Sequence, residues 1–275
     1  MGIYIGVAPN VKVYVEDINP GGSKTIVFLH GWPGNHNLFE YQYDQLPKLG
    51  YRCIGIDQRG FGLSDKPWNG YGYDRLSDDV LRVVEALGLE DFTLLGHSTG
   101  GAIAIRYMAR HRGFGVSKLA LLAAAAPSLI QRPYFPYGLE KEAVLDIIKG
   151  TYTDRPAMLR KFGKTILHNP VSEATEDWLF QLGLQAAGWS TAAIANTWLG
   201  EEQLFEDLKT IAAPTLILHG KDDQVCRYPL ALAQKKAIRD AKLVPLENCG
   251  HFLFLDQRER ANAELVKFTE GSSLY

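Results

Sequence analysis

Apolar side chains fall into two alternating patterns along this chain. Thr25 to Leu29, Arg52 to Ile56, Phe92 to Gly96, Lys118 to Leu122, Thr215 to Leu218 and Lys242 to Leu246 are short apolar runs. Runs of that length suit strands buried on both faces. Between them lie stretches of helical period. The clearest runs from Asp74 to Leu87, where Leu76, Val80, Val83, Val84 and Leu87 share a face, Asp74 can cap the start and Gly88 can close the end. Ala102 to His111, Leu230 to Ile238 and Arg258 to Phe268 read as helices, and Leu38 to Leu46 as an amphipathic stretch. Val11 to Val15 alternates apolar and polar, the mark of a half-buried strand, and Pro20-Gly21-Gly22 after it predicts a hairpin turn. Strands alternating with helices predict an α/β domain built on a mostly parallel, doubly wound sheet.

One region breaks that rhythm. From 128 to 213 no strand pattern occurs, and helical segments follow one another near Glu140–Lys149, Arg155–Leu167, Glu173–Ala187 and Thr191–Leu199. Because the sheet needs strands from both sides of this region, it reads as a helical cap (128–213) inserted into one core domain (1–127 and 214–275). A separate second domain is the weaker alternative.

Composition narrows the classes without naming one. Among 275 residues, 29 Lys and Arg face 31 Asp and Glu, for a net charge of −2. Such a balance leaves no basic footprint for nucleic acid or an anionic membrane surface. The longest aliphatic run, Leu119 to Ala126, is too short to cross a bilayer, and the N-terminus lacks a secretory pattern. Three cysteines, Cys53, Cys226 and Cys249, show no framework spacing. They predict a reducing, cytoplasmic setting. No metal-ligand cluster or dinucleotide fingerprint is legible, so no cofactor or metal is expected. Gly163-Lys164-Thr165 lacks the rest of a phosphate-binding loop.

Chemistry concentrates at Gly96-His97-Ser98-Thr99-Gly100. The pentapeptide has the form Gly-x-Ser-x-Gly and stands between a buried strand and a helix of small residues, the setting of a nucleophile elbow. Ser98 is the expected nucleophile. A serine hydroxyl needs a base oriented by an acid, and in the elbow's usual chain order acid and histidine follow the serine. Of seven histidines, only His251 lies in a Gly-flanked loop after the last strand, Asn248-Cys249-Gly250-His251-Phe252. His97 and His219 read as structural. The acid is sought in His219-Gly220-Lys221-Asp222-Asp223, where two aspartates compete. For the developing oxyanion, the amides of Thr99 and of Trp32, in His30-Gly31-Trp32-Pro33-Gly34, are the expected donors. Trp32, Pro33, Phe162, Val225 and Phe252 are the expected pocket residues.

Together these motifs resemble the α/β-hydrolase superfamily. More narrowly, His30-Gly31-Trp32-Pro33-Gly34, Asp57-Gln58-Arg59-Gly60-Phe61-Gly62, Gly96-x-Ser98-Thr99-Gly100-Gly101 and Gly220-x-x-Asp223-Gln224 resemble the bacterial aryl esterase and cofactor-free haloperoxidase (perhydrolase) group. The resemblance selects Asp223 over Asp222, because related hydrolases carry the acid three residues after the glycine. It implies an α/β-hydrolase fold and a serine carboxylesterase acting on small esters through an acyl-serine. Some members accept hydrogen peroxide and release a peracid. Many of those carry a proline where Pro33 stands, which would set the Trp32 carbonyl to accept from peroxide. Lactonase, amidase and carbon–carbon hydrolase activities share the fold, as does a ligand-sensing receptor. Aspartate-nucleophile dehalogenases and epoxide hydrolases are disfavoured by Ser98. The expected partner is a small-molecule ester, with no nucleic acid and no membrane, and a homo-oligomer is compatible with the composition. Two residues depart from the group: His97 stands where Phe is common, and Ala102-Ile103-Ala104 replaces a more glycine-rich helix start.

Overall fold

The computed structural model describes residues 1–271. Eight strands form one sheet: β1 (Gly2–Ala8), β2 (Val11–Ile18), β3 (Lys24–Leu29), β4 (Tyr51–Ile56), β5 (Phe92–His97), β6 (Val116–Leu122), β7 (Thr215–Gly220) and β8 (Ala241–Leu246). Their order is β1-β2-β4-β3-β5-β6-β7-β8. The β1–β2 and β2–β4 pairs are antiparallel, and the other pairs are parallel. Every residue of β5 and β7 is buried, as unbroken apolar runs covered on both faces should be.

Helices connect the parallel strands. α1 (Glu40–Gln45) lies between β3 and β4, α2 (Tyr73–Ala86) between β4 and β5, and α3 (Thr99–Arg110) between β5 and β6. Between β6 and β7 come α4 (Lys141–Thr153), α5 (Arg155–Gly163), α6 (Glu173–Leu184), α7 (Gly188–Gly200) and α8 (Leu204–Thr210). After β7 follow α9 (Pro229–Ala237), α10 (Leu253–Asp256) and α11 (Arg258–Thr269). Strands β6 and β7 are parallel neighbours, Leu119 opposite Thr215, so the five-helix segment leaves the sheet and returns beside its departure point.

Two local expectations are corrected. Gly21-Gly22 does not turn a hairpin, because β3 pairs with β4 and β5 and never with β2. Gly22 is there for clearance, since a Cβ on it would fall 2.4 Å from the Arg52 amide nitrogen. The hairpin lies earlier, joining β1 to β2 through Asn10, whose φ of 57° suits a residue tolerant of the left-handed region. Helix α8 was also not read from the sequence, which showed four helical segments where five form.

Candidate active site

At the carboxyl end of β5 the chain reverses into α3 with Ser98 at the corner, φ 53° and ψ −120°. A non-glycine residue rarely holds that conformation, and the surroundings enforce it. The Ser98 amide donates to Leu122 O at 3.0 Å, and the Ser98 carbonyl accepts from the amides of Gly101, Ala102 and Ala125. The flanking glycines are steric necessities. A Cβ on Gly96 would lie 2.4 Å from Gly100 O, and one on Gly100 would lie 2.2 Å from Leu29 O.

His251 and Asp223 arrive from the loops after β8 and β7. His251 Nδ1 is 2.8 Å from Asp223 Oδ2, both side chains being buried. An ionised carboxylate only accepts, so Nδ1 carries the proton and Nε2 keeps its lone pair. The other oxygen, Asp223 Oδ1, accepts from the amides of Val225 and Cys226, each at 2.8 Å. Asp222 faces elsewhere, with His168 Nδ1 3.8 Å from its carboxylate. The two competing aspartates are thus separated by geometry: Asp223 meets His251 and Asp222 does not.

Two further histidines touch this pair, and a third, His30, lies at the end of β3. His219 Nε2 donates to Cys226 O at 2.5 Å and sits 3.5 Å from Asp223 Oδ2. His97 Nε2 donates to the His251 carbonyl at 3.1 Å, and the two rings stand 4.7 Å apart. His30 donates from Nδ1 to Gly31 O and accepts at Nε2 from the Gln58 amide, both at 3.0 Å. Burial drives the pKa of His97 well below the ordinary value and that of His30 down to about 4; it also lowers that of His219. As neutral rings, His97 donates to the His251 loop and His219 to the loop that carries Asp223, while His30 ties Gly31 to Gln58.

Trp32 and Thr99 lie at the ends of β3 and β5, which are adjacent strands. Among the described residues neither backbone amide donates to a protein acceptor, so both are available to a ligand oxygen. The Trp32 ring packs edge-on against Phe162 and Trp198, at 5.0 and 5.2 Å, and its Nε1 donates to Thr191 O at 3.1 Å.

Beside Pro33 and Phe252 opens a cavity of about 420 Å³. Leu159 and Phe162 of α5 line it, with Leu179, Phe180 and Gly183 of α6 and the 164–171 segment between those helices. Of the expected pocket residues, Pro33, Phe162 and Phe252 line this cavity. Trp32 and Val225 do not line the cavity. The indole is a buried backing for Phe162, and Val225 contributes its amide to Asp223. Sequence reasoning missed Leu179, Phe180 and Gly183, whose spacing on α6 was the available signal. Gly183 is a neighbour of Pro33: a Cβ there would come to 3.3 Å from the proline ring.

Comparison with known proteins follows the same lines. Residues 24–143 match a family model described as the alpha/beta hydrolase fold. The chain is 45% identical over 273 residues to an AB hydrolase superfamily protein of Bacillus subtilis, covering 98% of this chain and 100% of that one. It is 30% identical over 275 residues to a bifunctional esterase/perhydrolase of Acinetobacter calcoaceticus, covering 96% and 98%. Among solved structures, an esterase from Exiguobacterium antarcticum superposes with a TM-score of 0.96 at 41% identity, over 98% of this chain and all of that one.

Proposed function

The chain belongs to the α/β-hydrolase superfamily, and we propose that it is a serine carboxylesterase with Ser98, Asp223 and His251 as its catalytic residues. Helices of the 128–213 insert act as a cap over the site. The observation that carries this reading is the 2.8 Å bond from His251 Nδ1 to Asp223, in loops that flank a serine held at positive φ.

In this mechanism Ser98 Oγ attacks the ester carbonyl carbon while His251 Nε2 takes its proton. Asp223 holds the imidazole in the required tautomer and stabilises the imidazolium. The amides of Trp32 and Thr99 receive the developing oxyanion. Collapse of the tetrahedral intermediate expels the alcohol, which takes the proton from His251. Water, deprotonated by His251, then attacks the acyl-serine, and the acid leaves as His251 returns the proton to Ser98 Oγ. Leu159, Phe162, Leu179 and Phe180 give the cavity an apolar side suited to an uncharged acyl or aryl group, with Arg160, Lys164 and Glu176 among the remaining lining. Three unpaired, buried cysteines agree with a cytoplasmic setting.

Perhydrolysis is the second reading, favoured by Pro33 and by the esterase/perhydrolase relative. Hydrogen peroxide would replace water at the acyl-serine, giving a peracid and free Ser98. A series of p-nitrophenyl esters, assayed with and without hydrogen peroxide, tests both. Ester hydrolysis is expected throughout, with peracid formed when peroxide is present. In Pro33→Leu the ratio of perhydrolysis to hydrolysis should fall about tenfold, the size of a lost hydrogen bond in a transition state. An unchanged ratio would remove Pro33 from the peroxide reading.

A further inference from the structure

The 164–171 segment is a wall of the cavity, and it is also bolted to the loop that carries His251. Asp256, at the end of α10, makes the main attachment. Its Oδ2 accepts from the His168 amide at 2.9 Å and from the Gly250 amide at 2.7 Å, while Oδ1 accepts from the Asn169 amide at 3.0 Å. One carboxylate thus holds two amides of the cavity wall and the amide of the residue before His251. Among the described residues no cationic side chain pairs with Asp256, so its charge is directed at those three N–H groups.

Other contacts repeat the connection. Asn169 Nδ2 donates to Asn248 O at 3.0 Å, and the Phe252 amide donates to Ile166 O at 2.9 Å. Close approach of the two segments is written into the sequence at Gly250. A Cβ there would lie 2.8 Å from the His168 nitrogen and 3.0 Å from the Leu167 carbonyl carbon. Phe252 itself faces the cavity, so the attachment, the base and the cavity wall occupy three consecutive positions, 250 to 252.

We infer that Asp256 is a positioning residue that makes the cavity wall and the His251 loop one rigid unit, and thereby sets the preference for esters long enough to touch that wall. The inference rests on the esterase reading above. An acyl chain that reaches Ile166 to Val171 gains contact with a wall whose position is tied to the base, and that contact energy can be spent on alignment. Acetate is too short to draw on it. Loss of the carboxylate frees the wall, so long-chain esters suffer more than short ones.

The test compares p-nitrophenyl acetate and octanoate on the wild-type protein and Asp256→Asn, a nearly isosteric change that introduces an NH2 group opposite amides needing an acceptor. The octanoate-to-acetate ratio of kcat/KM should fall about tenfold, mostly through kcat for octanoate, because alignment is lost from the chemical step, and this is the scale on which small misplacements act. Should Asp256→Asn fail to fold, Asn169→Ala carries the test. It removes an exposed side-chain bond from the same attachment, and the ratio should fall by roughly threefold. A wild-type protein inert to both esters overturns the esterase reading and this inference with it. An active wild type whose ratio is unmoved by the substitution, or whose two activities fall equally, overturns this inference alone.

Discussion

Ser98 occupies a backbone conformation that costs on the order of 1–3 kcal/mol for a residue with a side chain. Four backbone hydrogen bonds and two flanking glycines hold it there. Single contacts of this kind also distinguish this chain's histidines from one another. His97 is buried beside the elbow, and its Nε2–H fixes the carbonyl of His251. A phenylalanine at 97 keeps the aromatic contacts with Phe252 and Phe254 and loses only the donor. His97→Phe should therefore fold and bind ester normally while kcat drops by roughly fivefold to tenfold, the worth of one net hydrogen bond of about 1 kcal/mol. Steady-state kinetics at pH 8 checks this, and a change confined to KM would contradict it. Ser98, His251 and the choice between Asp222 and Asp223 were legible because elbow, loop position and family pattern each constrain one residue. The bonds made by His97 and Asp256 were not, because neither a histidine in the elbow nor an aspartate six residues after Gly250 carries a local signal of its partner.

At the scale of elements, the strands were the most legible part, since each central strand is an apolar run closed by a polar or glycine residue. The failures were connections. Gly21-Gly22 has the composition of a hairpin turn, yet its glycine serves a close pass beside β4. Helix α8 is short, and much of what places it is a charge contact no periodicity shows. Arg106 of α3 is buried and donates to Asp74 of α2 at 2.9 Å and to Glu201 at 2.8 Å. Its Nε lies 2.7 Å from Asp207 Oδ2 of α8, an ion-pair distance without hydrogen-bond alignment. Burial lifts the Asp207 carboxyl to about 6, against the pull of Arg106. Removing Arg106 from this set costs about 3–5 kcal/mol, because Glu201 and Asp207 stay behind without their partner. This cluster ties the end of the helical insert to two core helices, which sequence patterning could not reveal.

The whole molecule should be acid-sensitive, and the buried histidines say in which window. His30, His97 and His219 all have folded-state pKa values below the ordinary 6.5 because burial penalises the charged ring. The unfolded chain takes up protons below about 6.5 while the folded chain refuses them, so stability is complete above that value and falls as pH drops. For His30, whose folded value is about 4, the loss between 6.5 and 4 is about 3 kcal/mol at 1.4 kcal/mol per unit. Asp207, lifted to about 6, and Asp79, also raised by burial, work the other way, gaining protons in the folded state as pH falls, but they are two groups against three buried histidines. Melting temperature should thus drop by at least several degrees from pH 7.5 to pH 5, at roughly 2–4 °C per kcal/mol for a chain of this size. Thermal melts across that range check it, and a flat profile would contradict it.

The central claim, that this chain turns over esters through Ser98, is tested most directly by Ser98→Ala assayed on p-nitrophenyl butyrate beside the wild type. The variant should keep the wild-type fold by circular dichroism and lose at least about 1,000-fold in kcat, since the hydroxyl that forms the acyl intermediate is gone. Retention of activity within a few-fold of the wild type, in a correctly folded Ser98→Ala protein, would contradict the account.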